Sequence, residues 1–598
     1  MSSFYSDASL IVIPSGYKAS KVYSAVPTDG SGDLTFTRSN DTATRVGPDG
    51  LIEKVRTNQV RNSTMVGASA PSTLPTNWTL NSGGLTFTVI GTGTEDGYTY
   101  LEVNATGTAS SSNARIGFDS STQILGATGQ YWTNSFYFKK VSETAAPDNY
   151  AMAIFENTSA GSLVVANVGS LPATTSLAHY SYTVLTSGGA TVARVQPFVR
   201  FSLTALTSYN FTFRIAATQM ETGDIATDYI PTTTAAVSVG PVANVPRLDY
   251  LNSSCPKLLL EPQRTNLVTF SEQFDNAAWI KVNTTITANA ATSPDGYTNA
   301  DALVENTATS LHDTYQSFIS TSSTAYTFSC YIKPSTRTRA YLRSDTSAGT
   351  VRTLFDLTGS GSVVTLAHTS ASISLVGNGW YRCSITFTEG TGAAGRLVFV
   401  EGAVGTAISY AGNGLTAFWL YGAQLEAGAY ATSYIPTLGA SVTRGADACV
   451  KTGISSLIGQ TEGVLFLDFE IQTTGQDMVI MNIYNGTTPA NSMYFYLTVS
   501  NILQAYVDNS GTVVIISSGV LAQGRYKAAL AYKANDCSFY LNGSLVGVDV
   551  SNTIPTCNAL MLENYASTPI YQEKTAVSQA LLFKTRLSNS ELASLTTL

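Results

Sequence analysis

At 598 residues the chain exceeds the roughly 250–300 residues at which single cores stop growing, so several units are expected. Charged residues make up 12% and aromatics 10%, which excludes both a disordered chain and a long coiled coil. The formal net charge of −8 comes with no run of five like charges, so the basic stripe that nucleic acid requires is missing.

The chain opens with MSSFYSDASLIVIPSGYK, which has one short apolar run, Leu10 to Ile13, and no basic n-region. No secretory signal and no membrane span of about 20 apolar residues is expected. Residues 1–55 also contain the turn-rich PTDGSGD (27–33). They are expected to form an N-terminal attachment segment without a core of its own.

An internal repeat follows. QMETGDIATDYIPT (219–232) and QLEAGAYATSYIPT (424–437) share nine of fourteen positions at an offset of 205. LIEKVRTN (51–58) answers LLEPQRTN (259–266), FYFKK (136–140) answers CYIKP (330–334), and Trp78 answers Trp279. Two homologous modules are predicted, at 56–240 and 263–445, with a linker or hairpin at 241–262. Within them AYTFSCYIKP (325–334) alternates Tyr326, Phe328, Cys330 and Ile332 against Thr327, Ser329 and Tyr331. WYRCSITF (380–387) does the same, as half-buried strands of a β-sandwich do.

Residues 446–598 read as a different unit. VLFLDFEI (464–471) and MYFYLTV (493–499) alternate, and Asn542-Gly543 supplies a type I′ turn between two strands. Ser588 with Glu591 makes a capping box and Leu587 with Leu592 a hydrophobic staple, so a short helix ends the chain. The predicted fold class is all-β: serial β-sandwich domains, two homologous and one distinct, with a short C-terminal helix. The six cysteines (255, 330, 383, 449, 537, 557) are spread singly and are expected to be free thiols. Cys330 and Cys383 are the pair best placed to contradict that.

RYKAALAYKANDCSFYLNGSLVG (525–547), followed by LLFKTRLSNSELASL (581–595), resembles the concanavalin A-like, laminin-G-like jelly roll. That fold includes lectins, adhesion modules and glycoside hydrolases. The hydrolases carry Glu-x-Asp-x-x-Glu on one strand, and Asp468-Phe469-Glu470 lacks that spacing, so no catalytic residues are assigned. Across residues 38–447, RTNLV, GWYRCSITFTEG and the run GAQLEAG, ATSYIPT, GASVTRGAD resemble tail-fibre and head-fibre proteins of tailed bacteriophages. The resemblance implies carbohydrate-binding-like sandwiches on a virion assembled in the host cytoplasm. It also implies a homotrimer, anchored to other capsid or tail proteins through the N-terminal segment.

Candidate site residues are weighed individually. Trp380, Tyr381 and Trp419 could stack on sugars, but their strands point to core packing. Gln219 with Glu221 and Gln424 with Glu426 could touch ligand, yet their repetition points to a shared internal hydrogen bond. Asn564, Tyr565 and Tyr571, in ENYASTPIYQ (563–572), are the chosen glycan-binding candidates. Asp468, Asp549 and Glu563 are weighed as calcium ligands and set aside, so no metal and no cofactor is expected. The expected function is multivalent attachment to host-surface glycans. The alternative is an architectural capsid or tail decoration protein without a ligand.

Overall fold

The computed structural model describes residues 4–18, 20–347, 349–390, 395–487, 490–563 and 572–598. Almost every element in it is a strand, and short helices lie at Phe4–Asp7 and Asn589–Thr596.

In the first module one sheet runs in the order Ala178–Leu185, Tyr131–Ala145, Ser208–Thr222, Tyr98–Thr108, Thr86–Glu95. The facing sheet runs Leu163–Ser170, Asn149–Asn157, Arg194–Ser202, Asn113–Gly117, Thr79–Asn81. Phe136, Phe138 and Phe213 from one sheet close on Met152, Ile154 and Phe201 from the other. The second module repeats this order strand for strand. Tyr381–Thr388, Ala325–Pro334, Thr416–Ala427, Thr298–Glu305 and Thr284–Thr292 face Gly349–Asp356, Arg339–Thr346, Gly395–Ala403, Asp313–Ile319 and Ile280–Val282. It adds two edge strands, Ser370–Leu375 and Ser362–Thr365.

The repeated motif residues bind each module's own chain. Asn58 donates to the carbonyls of Thr218 and Ile230 and accepts from the amides of Val60 and Met220. Asn266 does the same with Ala423, Ile435, Val268 and Leu425. Gln219 donates to Glu221 and accepts from the Ile230 amide; Gln424 donates to Glu426 and accepts from the Ile435 amide. Trp78 and Trp279 are buried, and their indole N–H groups reach the carbonyls of Asn62 and Phe270. Each of these polar groups is satisfied internally, as burial demands.

The third unit is assembled from three stretches of chain. Its 16-stranded sheet includes Leu10–Lys18, Lys21–Val26 and Leu34–Thr37 from the N-terminal region. Leu34–Thr37 pairs with Ala448–Thr452, and Leu10–Val12 with Ala580–Leu582. The hairpin of Arg247–Asp249 and Lys257–Leu260 joins Thr575–Phe583 through Leu258–Leu260. The expectation of a coreless segment at 1–55 is therefore corrected: Leu10, Val12, Val22, Leu34 and Phe36 lie in the core of the third unit. Each run is too short to show a core by itself, and only pairing with strands some 400–570 residues away supplies one. The two modules are inserted between strands of this third unit, so each is tethered at both ends.

The tethers meet in a buried ion cluster. Arg38 pairs with Asp447, Arg247 with Asp447 and Glu261, and Arg444 with Glu261, all fully buried. Glu261 also accepts from the amide and hydroxyl of Ser433.

The C-terminal features stand as expected. Asn542 and Gly543 have φ of 49° and 83°, and Ser588 and Glu591 form the capping box. Leu465, Leu467, Phe469 and Ile471 enter the main core, while Val464 and Phe466 pack with Leu587 and Leu592 of the helix region. The six cysteines are free, and Cys255 alone is exposed. Cys330 and Cys383 are direct register partners on neighbouring strands.

Candidate functional site

The outer face of the second module's Tyr381–Thr388 sheet carries a row of polar side chains. Alternation places Arg382, Ser384 and Thr386 on that face, beside Ser370, Ser372 and Ser374 on one neighbouring strand. Thr327, Ser329 and Tyr331 lie on the other. Hydroxyls pair along it, Ser372 with Ser384 at 2.7 Å and Thr327 with Thr386 at 2.9 Å.

This face is roofed. The 44–52 segment, the Asp249–Asn252 turn and the third unit's residues 470–474, 523–524 and Lys574 close over it, leaving a cleft of about 910 Å³. Cavities of roughly 300–1,000 Å³ hold small ligands. Its lining mixes Ser, Thr, Tyr and amide side chains with apolar ones such as Leu259, Ile373 and Ile471, and carries the cations Arg45, Arg382 and Lys574 and the acids Asp249 and Glu470.

Arg382 donates through one guanidinium nitrogen to the Ser329 hydroxyl at 3.2 Å, and its carbon lies 5.3 Å from the centre of the Tyr331 ring. Its Nε is buried without a hydrogen-bond partner, as are Oε1 of Gln472 and Oγ1 of Thr473 on the opposite wall. Burial, and then the neighbouring Arg382 charge, pull the Lys574 ammonium below the usual lysine range against the attraction of Glu261. Its nearest carboxylate oxygen is that of Glu261, at 3.9 Å. Burial raises the carboxyl of Asp249, which accepts from the amides of Val46 and Leu251.

Asn564, Tyr565 and Tyr571 lie outside the described residues. Trp380 is buried with Tyr331, Tyr421 and Tyr434, and Tyr381 is in the module core. Trp419 is half-buried, 5.9 Å from Lys333 Nζ. Asp468 is engaged by Arg525 and Glu470 by Lys257. Asp549 accepts from Ser551, and among the described residues no group of three His, Cys, Asp or Glu is arranged to hold a metal ion. The cleft itself was not found from sequence because its walls come from distant stretches. The available signal was Arg382, the one charge in an otherwise hydroxyl-lined alternating strand.

No protein-family model matches the chain, and no curated protein matches it. Among solved structures, the CBM40 module of the Ruminococcus gnavus IT-sialidase is 14% identical, with a TM-score of 0.22 over 24% of this chain and 91% of that one. The NanB sialidase of Streptococcus pneumoniae is 13% identical at 0.22, covering 24% of this chain and 25% of that one. The receptor-binding domain of botulinum neurotoxin C/D mosaic is 7% identical at 0.22, covering 25% and 40%. Similarities of this size carry no argument about site or ligand.

Proposed function

We propose that the chain is a glycan-attachment protein of a phage virion surface, in a tail fibre, spike or head fibre, and that it binds rather than cleaves. The cleft carries the reading. It is a cavity of about 910 Å³ whose walls carry many hydroxyls and amides, which suits a ligand that is itself a dense array of hydroxyls. The sequence resemblance to fibre modules supports the virion setting. Side-by-side trimers would multiply one weak site through effective concentration. The low surface charge favours such packing, since hydroxyls are desolvated at smaller cost than ammonium or carboxylate groups.

The test is binding of fluorescently labelled protein to host cells, before and after their surface polysaccharide is stripped. Adsorption that depends on the polysaccharide is expected. Undiminished binding to stripped cells would refute the glycan reading, and gold labelling of particles would locate the protein on head or tail.

A further inference from the structure

The cleft's chemistry is more specific than a neutral sugar site requires. A neutral saccharide is held by hydroxyls, amides and aromatic faces. Here Arg382 stands on the sheet face and Lys574 on the wall that covers it, while the third cation of the lining, Arg45, is held by Glu53. The Arg382 guanidinium makes one hydrogen bond, through a terminal nitrogen to a neutral hydroxyl. Among the described residues, Lys574 has no carboxylate oxygen nearer than that of Glu261, at 3.9 Å. The acids on the same walls are already engaged. Asp249 takes two backbone amides and Glu470 takes Lys257.

The sister module supplies an internal comparison. Tyr137 pairs with His179 where Tyr331 pairs with Arg382, and the rings of Tyr137 and His179 lie 5.0 Å apart. Thr133 and Thr183 repeat the hydroxyl pair of Thr327 and Thr386. The first module thus keeps the hydroxyl ladder but has an exposed histidine at the arginine position. It also lacks the edge strand that corresponds to Ser370–Leu375. The guanidinium and the wall beside it occur together in the second module.

Building on the glycan reading above, we infer that the cleft is a seat for the carboxylate of an acidic saccharide. Arg382 would donate to the carboxylate, Lys574 would supply the second positive charge, and the serine rows and Gln472 would face the ring hydroxyls. Charge-assisted bonds from a planar guanidinium are the stronger and more directional kind.

The test uses the full chain on an array of uronate- and sialate-containing oligosaccharides printed beside their carboxyl-reduced forms. Two variants probe the seat. Arg382→Gln removes the donor. Ser374→Glu places a carboxylate at an exposed position directly opposite Arg382 in register, where it disturbs no core. His179→Ala is the control.

Binding to one or more acidic forms is expected. It should fall roughly tenfold or more on carboxyl reduction and in both variants, since a bond to a charged group is lost, and be unchanged in His179→Ala. Equal binding of acidic and reduced forms would overturn the acidic seat while leaving the glycan reading standing. Acid-selective binding that survives Ser374→Glu would place the seat elsewhere and overturn the assignment to Arg382. Absence of binding to either form would overturn the inference and count against the glycan reading with it.

Discussion

Replacing Glu261 should loosen the joint that holds the modules to the third unit. Its buried carboxylate lies 2.7 Å from Arg247, 2.8 Å from Arg444 and 2.6 Å from the Ser433 hydroxyl, and it accepts the Ser433 amide at 2.8 Å. In Glu261→Gln the shape is retained but two buried guanidiniums lose their shared anion. Removing one partner of a buried pair typically costs about 3–5 kcal/mol. For a unit of this size each kcal/mol moves the midpoint by roughly 2–4 °C, so a fall of about 10 °C is expected. Differential scanning calorimetry of the full chain reads it.

The pH dependence carries the same signature. Burial opposes ionisation of Glu261, but Arg444, Arg247 and Lys574 outweigh it and hold the group well below the usual carboxylate range. A depressed carboxyl contributes stability that is complete above its unfolded value of about 4.3 and disappears as pH falls through the folded one. The wild-type chain should therefore lose stability below that value more steeply than Glu261→Gln. A midpoint shift in Glu261→Gln under about 2 °C, less than 1 kcal/mol on this scale, would show that the ion cluster does not hold the joint.

Three further outcomes are expected. Burial lowers His368 to about 4, so stability falls as pH drops from about 6.5 toward 4, by at most about 3 kcal/mol; His368→Asn should flatten that slope in urea titrations. Asn58→Ala or Asn266→Ala removes four internal hydrogen bonds from one module, at a cost of roughly 2–4 kcal/mol, and proteolysis should open the mutated module first. Deleting residues 1–37 should expose the third unit's core and increase binding of a hydrophobic dye. A truncated chain with unchanged dye binding would contradict the strand pairing of Leu10–Val12 and Leu34–Thr37.

The two homologous modules were legible in the sequence because strand alternation and turn chemistry are local, and because a duplicated motif reveals itself by offset. The Gln-x-Glu repeat was readable as structural for the same reason: a residue that satisfies its own module's backbone must recur wherever that backbone recurs. The capping box at Ser588 and the Asn542-Gly543 turn needed only neighbours within a few residues. What sequence could not supply was where distant strands meet. Leu10, Leu34 and Phe36 look like isolated apolar residues until a sheet edge from the far end of the chain receives them. Arg38, Arg247 and Arg444 look like ordinary surface arginines until three tethers converge and bury them together. The cleft was invisible on the same ground, since Arg382, Asp249 and Lys574 share no local pattern. Only closure of the third unit over the second module's outer face turns a row of strand hydroxyls into a cavity with a charged floor.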